Sequence, residues 1–230
     1  MYVKVCGITR PEEIDLLGAL PVDLVGLWHG VSGGRADLPL TECRRLAAAA
    51  WATRSLEPVL VTFLNQAEAL REVIHRLPVR WVQLHGYQTP GLVRTVKRAV
   101  PEEVRIIKAL HLQGTYCLEA PLIRAYEKAG VDVFLFDAAT DDGRIGSTGR
   151  SLDGSVVSSL AERLTRPFLL AGGISSENWR EHAMSVRSPG WLGIDVDTNA
   201  RGRDGTIRPE NVEAIIQAWA ACADLGHHHV

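Results

Sequence analysis

Two side chains that can move protons, Cys6 and Asp137, each stand at the end of an apolar run typical of a buried strand. A thiolate acts as a base or nucleophile when a neighbouring cation lowers its pKa, and Lys4 precedes Cys6 by two residues, on the same face of a strand. A carboxyl group ending so apolar a run is expected to be desolvated, which raises its pKa and keeps it protonated as a general acid. A small core cysteine and a loop-anchoring aspartate are the structural alternatives.

Groups suited to binding lie at the ends of other strand-like runs. His85, Lys108 and Asp195 hold such positions, and the pair Gly172-Gly173 precedes a predicted helix. Bare backbone N–H groups at a helix start suit an anion, although a simple tight turn also explains two glycines. Three connections are longer than the others and are expected to contact substrate: residues 29–39, 138–151 and 197–208.

The elements that must position these groups alternate regularly along the chain. Strands are predicted at residues 2–6, 24–28, 58–63, 81–84, 104–110, 131–136, 167–171 and 191–196, and helices at 11–19, 40–52, 66–77, 90–100, 115–129, 153–164, 175–184 and 209–223. Near-continuous apolar strands indicate burial on both faces, as in a parallel sheet. This alternation predicts an α/β fold, the (β/α)8 TIM barrel, whose strands all end at one mouth. A doubly wound open sheet is the alternative, but its Gly-x-Gly-x-x-Gly turn is absent.

Composition narrows the class of protein. The chain has 230 residues, a net charge of -2 and 46% hydrophobic residues, which suit one large domain. We expect that domain at residues 1–226, followed by a tail at 227–230 that is either native or tag-derived. No basic stripe, membrane-length apolar run or signal peptide is present, so a cytoplasmic protein without nucleic-acid or membrane partners is expected. The four cysteines are far apart, which argues against a zinc site and against disulfides.

A series of motifs resembles the phosphoribosylanthranilate isomerase family, in order and over nearly the whole chain. The two most specific are Lys4-Val5-Cys6-Gly7-Ile8-Thr9 and Val82-Gln83-Leu84-His85-Gly86. The others are Val61-Thr62-Phe63-Leu64-Asn65, Ile107-Lys108-Ala109, Leu135-Phe136-Asp137, Gly146-Ser147-Thr148-Gly149-Arg150, Leu170-Ala171-Gly172-Gly173-Ile174 and Gly193-Ile194-Asp195-Val196.

This resemblance implies an Amadori rearrangement in tryptophan biosynthesis, in which an N-linked aldose becomes a 1-amino-1-deoxy-ketose without a cofactor. Asp137 would protonate the ring oxygen, Cys6 would remove the C2 proton of the resulting Schiff base, and Arg35 would pair with the anthranilate carboxylate. The expected partner is a small N-glycoside of an anthranilate-like amine, bound by a monomer or homodimer. The remaining residues expected to bind substrate are His85, Lys108, Gly172, Gly173, Asp195, Asp197, Thr198 and Asn199.

The chain departs from the family pattern at the mouth. The sequence after strand eight is Asp195-Val196-Asp197-Thr198-Asn199, where the family has Asp-Val-Ser-Ser-Gly. A negative charge about 4 Å from a phosphate costs on the order of 4 kcal/mol at an effective dielectric of about 20. Either Asp197 turns away and Arg201 or Arg203 compensates its charge, or the substrate carries no phosphate there.

Three further functions remain open from the sequence. The chain could be a paralogue in specialised metabolism that isomerises a different, non-phosphorylated N-glycoside. It could be a Schiff-base lyase or aldolase that uses Lys108, whose pKa burial would lower. It could also be a barrel that binds a ligand without turning it over.

Overall fold

A computed structural model describes residues 1–139 and 152–225. Within these ranges one sheet contains nine strands. These are β1 Tyr2–Val5, β2 Leu24–Trp28, β3 Glu57–Thr62, β4 Trp81–Leu84, β5 Arg105–Gln113, β6 Tyr116–Cys117, β7 Val133–Ala138, β8 Phe168–Leu170 and β9 Trp191–Val196. The motif at 146–150 and the tail at 227–230 lie outside the described residues, and the single domain 1–226 stays a prediction.

Eight of these strands close into a parallel barrel. β1 pairs with both β2 and β9, and the ring is completed by pairing of β4 with β5. The ninth strand, β6, runs antiparallel to the end of β5 and lies outside the ring. The predicted (β/α)8 barrel is therefore confirmed, and the doubly wound alternative is excluded because the ring has no open edge.

Helices cover the outside of the barrel. They are α1 Pro11–Gly18, α2 Leu40–Thr53, α3 Ala67–Arg76, α4 Pro90–Ala99, α5 Ile123–Ala129, α6 Gly154–Ala161, α7 Ala183–Val186 and α8 Pro209–Leu225. Pro11 and Pro90 start two of them, as the fixed φ of proline favours. None of the helices in the described ranges is long and apolar enough to cross a bilayer.

The helix predicted at 115–129 is wrong in its first half. Gly114, at φ +57°, turns the chain back so that Tyr116–Cys117 pairs with the end of β5. A short 3-10 helix, Ala120–Leu122, follows, and α5 begins only at Ile123. The reversal places Glu119 beside the end of β5, where it becomes part of the barrel mouth.

The helix predicted at 175–184 is also shorter than expected. Asn178 Oδ1 accepts the Ser175 N–H at 2.9 Å, and Ser175 Oγ accepts the Asn178 N–H at 3.3 Å. Such local side-chain bonds compete with helical hydrogen bonds. The segment therefore contains a turn, a 3-10 helix at Trp179–His182 and only then α7.

Alternation along each strand decides which side chains face the barrel interior. On β5, Ile107 and Ala109 belong to the interior cluster with Cys6, whereas Ile106 and Leu110 pack in the layer between sheet and helices. The same period of two carries the inward face to the last residue of each strand or the first residue beyond it. The inward residues at these strand ends, including Asp137 on β7 and His111 on β5, form the mouth of the barrel.

Candidate active site

The Cys6 thiol is held by two donors. Lys4 Nζ lies 3.2 Å from its sulfur, and the indole N–H of Trp28 donates to the same atom at 3.1 Å. Trp28 ends β2, next to β1 in the barrel, so its side chain reaches Cys6 from the adjacent strand. The sequence predicted the lysine contact but not the tryptophan, because their proximity depends on strand pairing.

Gly26 makes the room that this arrangement needs. It lies on β2 between two inward positions, and a Cβ atom there would come within 2.6 Å of Cys6 Sγ and 3.1 Å of Lys4 Nζ. No side chain fits at that distance, so the strand pairing that brings Cys6 over β2 requires a glycine.

Lys4 does not make Cys6 an easily ionised thiol. Burial raises the pKa of Cys6 to about 11, and the negative charges of Asp195 and Asp197 also act to raise it. The charge of Lys4 and the hydrogen bond from Trp28 act to lower this pKa. The sequence-based expectation of a cation beside Cys6 holds, but burial outweighs its effect on the pKa. In the resting protein Cys6 therefore carries its proton at neutral pH.

Lys4 forms a buried ion pair with Asp195 across the β1–β9 pairing. The distance from Lys4 Nζ to Asp195 Oδ2 is 2.7 Å, and the lysine side chain is fully buried. Burial acts to lower the pKa of Lys4, but the charges of Asp195 and Cys6 raise it above its ordinary value. Lys4 therefore stays charged, and Asp195 lies beneath the mouth as its counter-ion.

We expect Lys4→Met to destabilise the protein by about 3–5 kcal/mol, because it leaves the buried Asp195 carboxylate without its partner. Urea unfolding at neutral pH measures the change. The double variant Lys4→Met, Asp195→Leu removes both charges and should recover most of the lost stability. A single variant as stable as the wild type would contradict the ion pair's role.

Asp137 is held by His85. His85 Nε2 lies 3.0 Å from Asp137 Oδ2, and the backbone N–H of Ala138 donates to Oδ1 at 2.9 Å. Gln83 Nε2 lies 2.8 Å from His85 Nδ1, so Nδ1 accepts from the amide and Nε2–H donates to Asp137. Phe63 stacks on the His85 ring at 5.6 Å between centroids.

The expected pKa of Asp137 is wrong in direction. Burial does act to raise this pKa, but the hydrogen bonds from His85 and from the backbone N–H of Ala138 lower it below its ordinary value. Desolvation alone was visible in the sequence, whereas His85 comes from the end of β4, two strands away in the barrel. Asp137 is therefore ionised in the resting protein.

Arg35 and Asp197 form an ion pair above the end of β1. Arg201 Nε donates to Asp197 Oδ1 at 3.1 Å, and Arg201 Nη1 lies 2.9 Å from Glu13 Oε1. Gly7 lies directly beneath, since a Cβ there would meet Arg35 Nη2 at 3.0 Å. Two carboxylates and two guanidiniums thus balance, and Arg201 supplies the compensation for Asp197 that the sequence had suggested.

The predicted anion loop is tied to the loop after β9. Gly172 and Gly173 have φ values of +72° and +66°, which favour glycine. Asn199 Nδ2 donates to the carbonyl oxygen of Gly173 at 3.0 Å and to that of Ile174 at 2.9 Å. Asn199 therefore joins the two loops, and exposed Thr198 begins a short 3-10 helix, Thr198–Ala200.

Lys108 does not face the mouth. Its position on β5 alternates with the inward residues, and Nζ donates to the carbonyl oxygen of Gly86 at 2.8 Å and lies 5.4 Å from the Tyr126 ring centroid. Burial lowers the pKa of Lys108 to about 8, as expected, but the amine lies between the sheet and α5. Because the Lys108 amine lies away from the mouth, the structure does not support a substrate contact or a Schiff base at this residue.

His111, which no sequence motif indicated, is the inward residue near the end of β5. It pairs in register with Asp137 on β7, and its ring lies 5.4 Å from that of His85. His111 Nδ1 lies 2.7 Å from Glu119 Oε1. Extending the alternation of Ile107 and Ala109 by one step would have found His111, but Glu119 reaches it only through the hairpin.

The chain is similar to known proteins over most of its length. Residues 3–200 match the family model of N-(5'-phosphoribosyl)anthranilate isomerase. The chain is 30% identical to N-(5'-phosphoribosyl)anthranilate isomerase 2 of Methanosarcina mazei over 89% of this chain and 88% of that protein. It is 31% identical to the isomerase of Thermosynechococcus vestitus over 93% of this chain and 87% of the relative.

Solved structures agree in fold. The isomerase of Thermus thermophilus superimposes with a TM-score of 0.75 at 25% identity, covering 96% of this chain and 99% of that one. Another isomerase structure, in complex with reduced 1-(o-carboxyphenylamino)-1-deoxyribulose 5-phosphate, has a TM-score of 0.71 at 23% identity, covering 96% and 99% of the two chains. These matches confirm the family resemblance found in the sequence. They also confirm the prediction that the protein is an isomerase acting by intramolecular oxidation and reduction. The chain belongs to the N-(5'-phosphoribosyl)anthranilate isomerase family.

Proposed function

We propose that this chain catalyses the Amadori rearrangement of N-(5-phosphoribosyl)anthranilate, with Asp137 as the general acid and Cys6 as the general base. The observation that carries the proposal is the placement of both groups at inward positions of one barrel mouth, each with polar partners.

Chemistry begins with proton transfer to the ring oxygen. In the productive form Asp137 carries the proton that Cys6 holds at rest. Asp137 gives this proton to the ring oxygen, the C1–O bond breaks towards oxygen, and the nitrogen lone pair forms the C1=N bond of the protonated Schiff base. Cys6 thiolate then takes the proton from C2, and the C2–H electron pair forms the enolamine. The enol returns to the ketone by moving its hydroxyl proton to C1. Asp137 ends ionised and Cys6 protonated, which is the resting form.

This scheme predicts a flat pH profile. The productive form, with Asp137 protonated and Cys6 ionised, holds as many protons as the resting form, so its fraction does not change between the two pKa values. We expect kcat/KM to vary by less than about threefold from about pH 7 to about pH 10, and to fall only near the Cys6 pKa of about 11 or below that of Asp137.

Initial rates across this range measure the profile. In Cys6→Ala, where only Asp137 titrates, the residual kcat/KM should instead fall about tenfold per pH unit above the Asp137 pKa. A wild-type rate that falls in the same way would contradict the proton exchange between the two groups.

Asp197 bears on whether the substrate carries a phosphate. The charge of Asp197 is balanced by its ion pairs with Arg35 and Arg201. These pairs offset the repulsion between Asp197 and a phosphate that was expected from the sequence. We therefore favour the phosphorylated substrate, with the non-phosphorylated N-glycoside as the second candidate because Asp197 stands where the family has serine.

Turnover of N-(5-phosphoribosyl)anthranilate beside its dephosphorylated analogue separates the two candidates. We expect activity on the phosphorylated compound, and Asp197→Ser should lower its KM by up to about tenfold while leaving the analogue's KM unchanged. Activity on the analogue alone would establish the second candidate. Conversion of neither compound would overturn the proposed substrate class.

A further inference from the structure

His111 lies at the barrel mouth beside Asp137, the proposed general acid. On the β5–β7 pairing it stands directly across from Asp137, and only 2% of its surface is exposed. β5 and β1 are four strands apart around the ring of eight, so His111 and Cys6 lie on opposite sides of the mouth. A sugar bound between them meets Asp137 and His111 on one side and Cys6 on the other.

Glu119 fixes the orientation of the His111 ring. Its Oε1 lies 2.7 Å from His111 Nδ1, and its Oε2 accepts the His111 backbone N–H at 3.2 Å. Burial acts to raise the pKa of Glu119, but the hydrogen bonds from the His111 ring and backbone N–H and the charge of Lys108 lower it below its ordinary value, so the carboxylate is ionised. An ionised acceptor requires a proton on Nδ1, and burial lowers the pKa of His111, so the ring is neutral.

The other ring nitrogen of His111, Nε2, is buried and makes no hydrogen bond within the described residues. Because Nδ1 holds the only proton of the neutral ring, Nε2 presents a lone pair. Buried polar atoms in proteins are nearly always hydrogen-bonded, so an acceptor left open beside the proposed acid indicates a donor supplied by the ligand.

We propose that His111 is a substrate-contacting residue that accepts a hydrogen bond from the sugar hydroxyl formed at the ring oxygen when the ring opens. The inference rests on the proposed function. Asp137 delivers the proton to that oxygen, and the hydroxyl so formed points its hydrogen to Nε2 without any further bond breaking. Because the closed ring has no hydrogen on this oxygen, His111 stabilises the open chain and not the bound ring.

His111→Asn tests this contact. Asparagine keeps an N–H for Glu119 but has no atom at Nε2, so we expect kcat to fall at least about tenfold while KM changes less than about threefold. Binding of inorganic phosphate and the melting temperature should stay unchanged. Glu119→Gln keeps an acceptor for Nδ1–H and should lose less activity than His111→Asn.

A measurement on the unaltered protein guards against a variant that fails to fold. With 15N-labelled histidine, the reduced open-chain product analogue should shift the His111 Nε2 resonance, and anthranilate alone should not. A wild type that turns over the substrate, combined with an unshifted resonance or an undiminished kcat in His111→Asn, would overturn this inference alone. A wild type inactive on both N-glycosides would overturn the proposed function and this inference with it.

Discussion

Cys6→Ser is expected to lower kcat/KM about a thousandfold, within the range that a positioned base contributes. A hydroxyl is a much weaker acid than a thiol, so the serine anion is not populated near neutrality. The substitution is small, and the oxygen can still accept from Lys4 Nζ and Trp28 Nε1. The fold should therefore survive while the base is lost.

Substrate deuterated at C2 identifies the affected step. In Cys6→Ser, proton removal from C2 becomes rate-limiting, so a primary isotope effect on kcat should be larger than in the wild type. Cys222→Ala is the matched control, because that thiol is buried in α8 away from the mouth. A Cys6→Ser enzyme as fast as this control would remove Cys6 from the mechanism.

Asp137→Asn is expected to cost a similar factor, about a thousandfold in kcat/KM, through loss of the general acid. The amide oxygen can still accept from His85 Nε2–H, so the loss should be chemical. Ring opening becomes rate-limiting in this variant, and the isotope effect at C2 should disappear. Opposite isotope effects in the two variants would assign acid and base separately.

If Asp137→Asn keeps more than about a tenth of the wild-type rate, the acid is another group at the mouth. An isotope effect that persists in Asp137→Asn would show that Asp137 does not act before proton removal.

Most of the barrel could be predicted because its strands correspond to apolar runs in the local sequence. The run at 81–84 coincides with β4, and that at 24–28 coincides with β2. A continuous apolar run bounded by turn residues identifies a buried strand without knowledge of its neighbours. The failures at 115–129 and 175–184 occur where a positive-φ glycine and an Asn–Ser turn replaced helix.

The candidate site was predicted in its positions but not in its protonation. Cys6 and Asp137 follow from strand ends, yet their pKa values depend on Trp28, His85 and buried charges brought from other strands. Desolvation can be inferred from a residue's own strand, whereas opposing charges and hydrogen bonds require the register of its neighbours. The sequence therefore assigned the expected resting protonation of Asp137 incorrectly.

By itself the sequence determined the alternation of strands and helices, the thiol and carboxyl at strand ends, and the resemblance to the family. Only the tertiary structure decided that Lys108 faces the helices, that Arg201 and Arg35 neutralise Asp197, and that Glu119 orients His111. The reason is that side-chain period is a local property, while charge balance and hydrogen-bond partners arise between residues far apart in the chain.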